Sequence, residues 1–140
     1  MWQIAAVFPL LCAGCGLAAA AFVIWMKWVL MGDYKPREAP LWSGFVWRTE
    51  LITALHEQLA NPFLVEMLMG TPFAPWFFRL MGSRIGKRVY LDSTNLTEFD
   101  LIEIGDDACL NSDCTIQTHL FEDRVMKMSR IRIGRDCVVG

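Results

Sequence analysis

Aliphatic residues stand six apart at Ile104, Leu110 and Ile116, and the rhythm breaks off at His119. A period of six suits neither the 3.6-residue helix nor the two-residue alternation of a single strand. It suits a parallel β-helix, in which three short flat strands, one per hexapeptide, make a turn of about 18 residues. Further units of the same kind surround these three. Ile85-Gly86, Ile104-Gly105 and Ile133-Gly134 share an Ile-Gly start, Leu91-Asp92, Leu110-Asn111 and Ile116-Gln117 vary the second slot, and Val139-Gly140 begins another unit. In such a coil the aliphatic side chain points inward and stacks on its counterparts, while Gly or Asn beside it tolerates unusual corner angles. Ala108, Cys114 and Cys137 fall four residues after an aliphatic position, where a small side chain fits the narrow interior, and Cys109 points the other way.

The spacing from Ile85 to Ile104 is 19 residues and from Ile116 to Ile133 it is 17, so the register is interrupted twice. Interruptions are where loops leave a regular stack. The first, STNLTEFDLIE, is short and acidic; the second, THLFEDRVMKMSR, carries His119, the only histidine of this half.

The other half obeys a different rule. Ile4 to Met26 is 23 apolar or small residues without a charge, long enough at ~1.5 Å per residue to match the ~30 Å hydrocarbon core of a bilayer. That run exceeds the apolar core of a cleaved signal peptide. Overall, 54% of the chain is hydrophobic and its mean hydropathy is +0.34, above an ordinary soluble domain. Six Trp and nine Phe against two Tyr suit an interface with lipid. Lys27, Lys35 and Arg37 follow the span, so the positive-inside tendency places the remainder in the cytoplasm, on the inner face of a cytoplasmic membrane.

After the turn GDYKPREAP, apolar side chains at Trp42, Phe45, Val46, Ile52, Leu55 and Leu59 recur at helical spacing. Pro62 predicts that this amphipathic helix ends near Asn61. His56 within it reads as a polar helix residue. PWFFRLMG, residues 75–82, sets aromatic rings beside an Arg and suits either the headgroup boundary or a cap on the repeats. The expected organisation is therefore a transmembrane helix in 1–32, interfacial helices in 33–82 and a partial β-helix in 83–140.

Charge excludes one class of partner. Lys27 to Arg88 holds eight basic and five acidic residues, whereas Val89 to Gly140 holds five and ten. An acidic repeat half argues against nucleic acid, whose phosphates need a clustered positive field. The basic group Arg84, Lys87 and Arg88 instead meets anionic headgroups or caps the first coil. Two of the five cysteines lie in the apolar span, and none has metal-ligand or disulfide spacing, so no metal and a reducing compartment are expected.

Residues GTPFAPWFFRLMGSRIGKRVYLDSTNLTEFDLIEIGDDACLNSDCTIQTHLFEDRVMK, with PLWSGFVWRTEL before them, resemble the membrane-associated C-terminal region of poly-lysine-synthetase-like nonribosomal peptide synthetases. QTHLFEDR is the most specific part. The resemblance runs from about Pro40 to Gly140 and implies transmembrane helices joined to left-handed β-helix domains similar to hexapeptide acyltransferases. It also implies amide formation between an amine and a carrier-bound aminoacyl thioester. Adenylation and carrier domains are not in this sequence, which reads as a fragment or one truncated copy, with tandem copies or a homo-oligomer as its wider setting.

The chemistry follows from the residues. An amine attacking a thioester needs a base that takes its proton, and an imidazole with a pKa near ~6.5 suits neutral pH. His119, at the foot of the second loop, is the candidate base; Glu122 or Asp123 is placed to orient its ring, and Asn111 or a backbone N–H to hold the oxyanion. The donor would be a thioester on phosphopantetheine or coenzyme A, acting as substrate, with no tightly bound cofactor. Plainer readings stand beside these: an anchoring loop residue for His119, solvated charges for Glu122 and Asp123, and a corner residue for Asn111. The competing function is a non-catalytic scaffold that docks a synthetase on the membrane and oligomerises through flat β-helix faces. A metal-dependent hydratase would need several clustered imidazoles, and the chain has His56 and His119 alone.

Overall fold

The computed structural model describes residues 2–140, with side chains from Val7 onward, so Met1 of the expected 1–32 span lies outside the described residues. Helix α1 runs Trp2–Leu30. Its stretch Val7–Leu30, 24 residues, is long and apolar enough to cross a membrane. Gly16, Ala20, Val23 and Lys27 form its single buried stripe, at alternating spacings of four and three. Val7 to Cys15 is exposed on all sides.

Strand β1 (Arg37–Pro40) follows, then α2 (Gly44–Leu55), capped by the Ser43 hydroxyl accepting from the Val46 N–H at 3.4 Å. The helix does not end near Asn61 as Pro62 predicts. It widens into a π-helical segment, His56–Val65, and returns to α in α3 (Glu66–Leu68). Proline in a regular α-helix clashes with the carbonyl four residues back and leaves it unpaired; a wider turn moves that carbonyl away, so the helix passes through Pro62. This segment packs on the buried stripe of α1 at very close range. A side chain on Gly16 would run into the carbonyl of Phe63.

Helix α4 (Ala74–Leu80), with Pro75 in its first turn, leads into the repeats. Strands β2 (Arg84–Ile85), β4 (Ile102–Ile104) and β8 (Ile131–Ile133) pair in parallel, as do β3 (Tyr90–Leu91), β5 (Cys109–Leu110) and β9 (Val138–Val139). Register places Ile85 beside Ile104 and Ile104 beside Ile133, and Leu91 beside Leu110 and Leu110 beside Val139. A third parallel contact joins Leu96 to Ile116. The aliphatic positions of the repeat therefore stack in columns, and Ile85, Leu91, Leu96, Ile104, Leu110 and Ile116 all belong to one core.

Two details of the repeat differ from expectation. The left-handed backbone falls not on the second slot but two residues later, at Arg88 (φ 54), Asp107 (φ 60), Asp113 (φ 63) and Asp136 (φ 55). Glycine at Gly86 and Gly105 answers a steric need: an added Cβ would lie 2.6 Å from the backbone nitrogen of Asp106 or Arg135 in the next layer. Ala108 is buried as read, but Cys114 is half-buried and Cys137 exposed, because no further layer covers the last turn among the described residues.

The second interruption forms the hairpin β6 (His119–Glu122) and β7 (Val125–Met128). Asp123 and Arg124, both at positive φ (51 and 61), close it as a two-residue turn whose twist matches the strands. Strand β1, in a region read as a turn, adds antiparallel to β7; as an edge strand it accommodates Pro40.

Because Ile104 is 2% exposed and touches layers on both sides, Ile104→Ala should cost about 2–5 kcal/mol, while Val138→Ala, at a position 72% exposed, should cost under about 0.5 kcal/mol. Denaturant titration of the detergent-solubilised protein measures both; equal losses would refute the in-register core.

Candidate functional site

The two interruptions of the repeat meet in space. The first contains Glu98, which adopts left-handed backbone (φ 44, ψ 61) just before a 3₁₀ turn, Phe99–Leu101. Its side chain is fully buried. A buried carboxylate must be answered by donors, and two come from the start of the second interruption. The Thr118 hydroxyl donates to Oε2 at 2.6 Å, and His119 Nδ1 lies 2.8 Å from Oε1. A carboxylate only accepts, so the proton sits on Nδ1 and Nε2 is left as the acceptor. Nε2 is 3.1 Å from the carboxamide nitrogen of Gln117, and the Phe121 ring meets the imidazole edge-on at 5.0 Å.

Left-handed backbone at a non-glycine residue costs roughly 1–3 kcal/mol and persists only where its surroundings enforce it. Here both sides do. The Ser83 hydroxyl donates to the Phe99 carbonyl at 2.8 Å, and Asp100 accepts from the backbone N–H of Tyr34 at 3.1 Å. Asp100 also pairs with Lys27 of α1 at 2.8 Å, with the Lys27 side chain wholly buried. On the other side the Thr118 backbone N–H donates to the Thr97 hydroxyl at 3.4 Å. His119 opens toward a cleft of about 360 Å³ lined in part by Glu38, Gln117, Leu120, Lys127 and Ser129.

The hydrogen bond to Glu98 raises the His119 pKa above 6.5, with burial opposing it. A raised folded-state value means that the pair contributes stability in full below pH 6.5, and that this is lost as pH rises through the folded value.

His56 lies elsewhere in the fold and is not the plain helix residue that the spacing suggests. It is 2% exposed, stacks on Phe77 at 5.7 Å, meets Phe99 edge-on at 5.3 Å, and places Nε2 3.3 Å from the Thr94 carbonyl. Burial pushes its pKa down to about 4, so it is neutral at physiological pH and wedges the π-helical segment against the repeats. Protonation on acidification from pH 6.5 toward 4 opposes folding.

Of the residues singled out for catalysis, the structure brings only His119 to this site. Glu122 pairs with Lys127 at 2.6 Å, which lowers its pKa, and Asp123 sits exposed at the hairpin tip. Asn111 is exposed just after β5, its Oδ1 3.4 Å from the Cys109 thiol. The carboxylate that orients the ring is therefore Glu98, because alternation along β6 and the hairpin turn carry Glu122 and Asp123 away from the imidazole. Glu98, Thr118 and Gln117 were missed, although Glu98 and Thr118 lie 20 residues apart, about one circuit of the repeat. In the basic group, Arg88 is held by Asp107 at 2.5 Å and Lys87 is exposed. Among the described residues no three His, Cys, Asp or Glu side chains gather as metal ligands.

No family model and no solved structure matches the chain. The chain is 49% identical over 125 residues, 89% of its length, to the Delta-poly-L-ornithine synthetase of Acinetobacter baumannii (strain AB307-0294). It spans 9% of that protein.

Glu98→Gln removes the charge that favours imidazolium and should lower the His119 pKa. NMR titration of the imidazole signals in micelles reads this; an unchanged midpoint would remove Glu98 as its partner.

Proposed function

We propose that this chain is an amide-forming module of a poly-amino-acid synthetase, transferring an acyl or aminoacyl group from a thioester to an amine with His119 as general base. What carries the proposal is the protonation pattern at one ring: Nδ1–H is committed to a buried carboxylate and Nε2 is an acceptor beside a cleft. The synthetase relative, identical at about half of the aligned positions, supports the setting.

In the proposed step the amine nitrogen attacks the thioester carbonyl and passes its proton to His119 Nε2. Glu98 stabilises the imidazolium without itself taking the proton. Collapse of the tetrahedral intermediate breaks the C–S bond, and the imidazolium returns the proton to the leaving thiolate, giving amide and thiol. Gln117, whose carboxamide nitrogen is 3.1 Å from Nε2, is the nearest side-chain donor for the developing oxyanion. The thioester arrives on phosphopantetheine or coenzyme A as substrate.

The parallel ladders, with their six-residue aliphatic columns and repeated left-handed turns, support a hexapeptide left-handed β-helix as the platform. Val7 to Cys15, apolar and exposed all round, suits an apolar surrounding, which supports a membrane anchor, and the basic residues Lys35 and Arg37 after the span support the cytoplasmic face for the repeats. Trp25 and Trp28, 58% and 42% exposed near the end of α1, suit the interface.

His119→Asn keeps a donor for Glu98 but has no base. In the full-length protein it should reduce amide formation from an aminoacyl thioester by about 10²- to 10⁴-fold while leaving the circular dichroism and melting curve near wild type. Unchanged amide formation would instead favour a docking scaffold without chemistry.

A further inference from the structure

Helix α4 buries one side and leaves the other bare. Ala74, Phe77 and Phe78 pack inward, whereas Phe73, just before the helix, Trp76 and Leu80, spaced three and four apart, are 63%, 66% and 59% exposed. This stripe does not stand alone. The Trp28 indole N–H donates to the Leu80 carbonyl at 2.9 Å, which joins the stripe to the end of α1, where Trp25 and Val29 are also exposed. Two helices fixed to one another thus turn apolar and aromatic side chains toward whatever surrounds the end of the apolar span.

Beside the stripe is a cleft of about 540 Å³, and Trp76 belongs to both. Its wall carries Arg79, Lys87 and Arg88 together with Trp76 and Tyr90, and no acidic side chain among the described residues. The three cations differ in what answers them. Arg88 is neutralised by Asp107 at 2.5 Å. Arg79 donates to the carbonyls of Ile85 and Gly86, which fix its guanidinium without cancelling its charge. Lys87 is exposed, and among the described residues no carboxylate pairs with its ammonium. The nearby Asp106 is engaged otherwise, accepting from the Lys87 backbone N–H at 2.7 Å and pairing with Arg135 at 3.2 Å.

A positive cleft bordered by an apolar stripe selects an occupant that is anionic at one end and apolar at the other. A soluble anion or an acidic peptide answers Lys87 and Arg79 but leaves Phe73, Trp76 and Leu80 in water. A zwitterionic headgroup brings a positive charge to a positive wall. An anionic phospholipid satisfies both halves. We propose that this cleft binds the phosphate of an anionic phospholipid, with α4 lying along the membrane surface and Phe73, Trp76 and Leu80 among the upper acyl chains. The Lys87 stem then runs beside the apolar stripe with its ammonium at the headgroup. The placement at a bilayer rests on the membrane-anchor reading of α1. A single spanning helix leaves the repeats free to turn about its axis; a second contact through α4 fixes that turn.

The test follows the Trp76 indole and Val89 amide resonances of the full chain in maltoside micelles, titrated with short-chain phosphatidylglycerol, phosphatidylcholine of the same chain length, or inorganic phosphate. Phosphatidylglycerol should shift both signals saturably and the other two should not. Lys87→Gln should weaken that binding by about fivefold, while Arg130→Gln, at an exposed cation outside the cleft, leaves it unchanged. Both side chains are exposed, so their substitution spares the fold. Phosphatidylcholine vesicles test the anchor by itself: wild type and Lys87→Gln should sediment with them alike, so loss of the anchor and loss of the headgroup site read separately. The proposal is overturned if phosphatidylcholine or inorganic phosphate shifts the signals as phosphatidylglycerol does, if Lys87→Gln titrates like wild type, or if a polyglutamate peptide shifts them and phosphatidylglycerol does not.

Discussion

The carboxylate of Glu98 is sealed from water, and the arrangement around His119 follows from the need to answer it. An unpaired buried carboxylate is too costly to survive, so two donors are drawn to it across one circuit of the repeat, from Thr118 and His119. Its left-handed backbone holds because Asp100, two residues on, is locked to Lys27 of the apolar helix and to the backbone of Tyr34. Removing one partner of a buried ion pair costs about 3–5 kcal/mol. The last turns of the apolar helix thus hold the segment that orients the imidazole.

The sequence revealed the columns of the repeat, the apolar helix and the two interruptions, because each rests on periodicity or composition within a short window. Ile85, Ile104 and Ile133 share neighbours in the fold as their spacing implies. His119 was visible as the only imidazole in its half. Glu98 was not, since its role depends on which residue of the next layer lies above it, and the nearer acids Glu122 and Asp123 offered a simpler partner. Pro62 marked a helix end under α-helical geometry, but the π turn altered the rule. Glycine at Gly86 and Gly105 was read for its backbone freedom, whereas the approach of the adjacent layer requires it. Strand β1 carried no signal of its own, for its pairing is made by β7, nearly ninety residues later.

The hairpin organises two cavities. Strand β6 lends His119 to one and Phe121, two residues on and in contact with that imidazole, to a neighbouring one that Trp42, Trp47 and Glu50 also line.

Direct comparison comes from the pH dependence of amide formation by the full-length protein, wild type and Glu98→Gln, at saturating thioester. A base held by Glu98 requires the rate to rise through a single ionisation that matches the His119 midpoint seen by NMR, and requires both to move to lower pH together in Glu98→Gln. A rate profile that stays in place while the His119 midpoint moves would show that this imidazole does not take the proton.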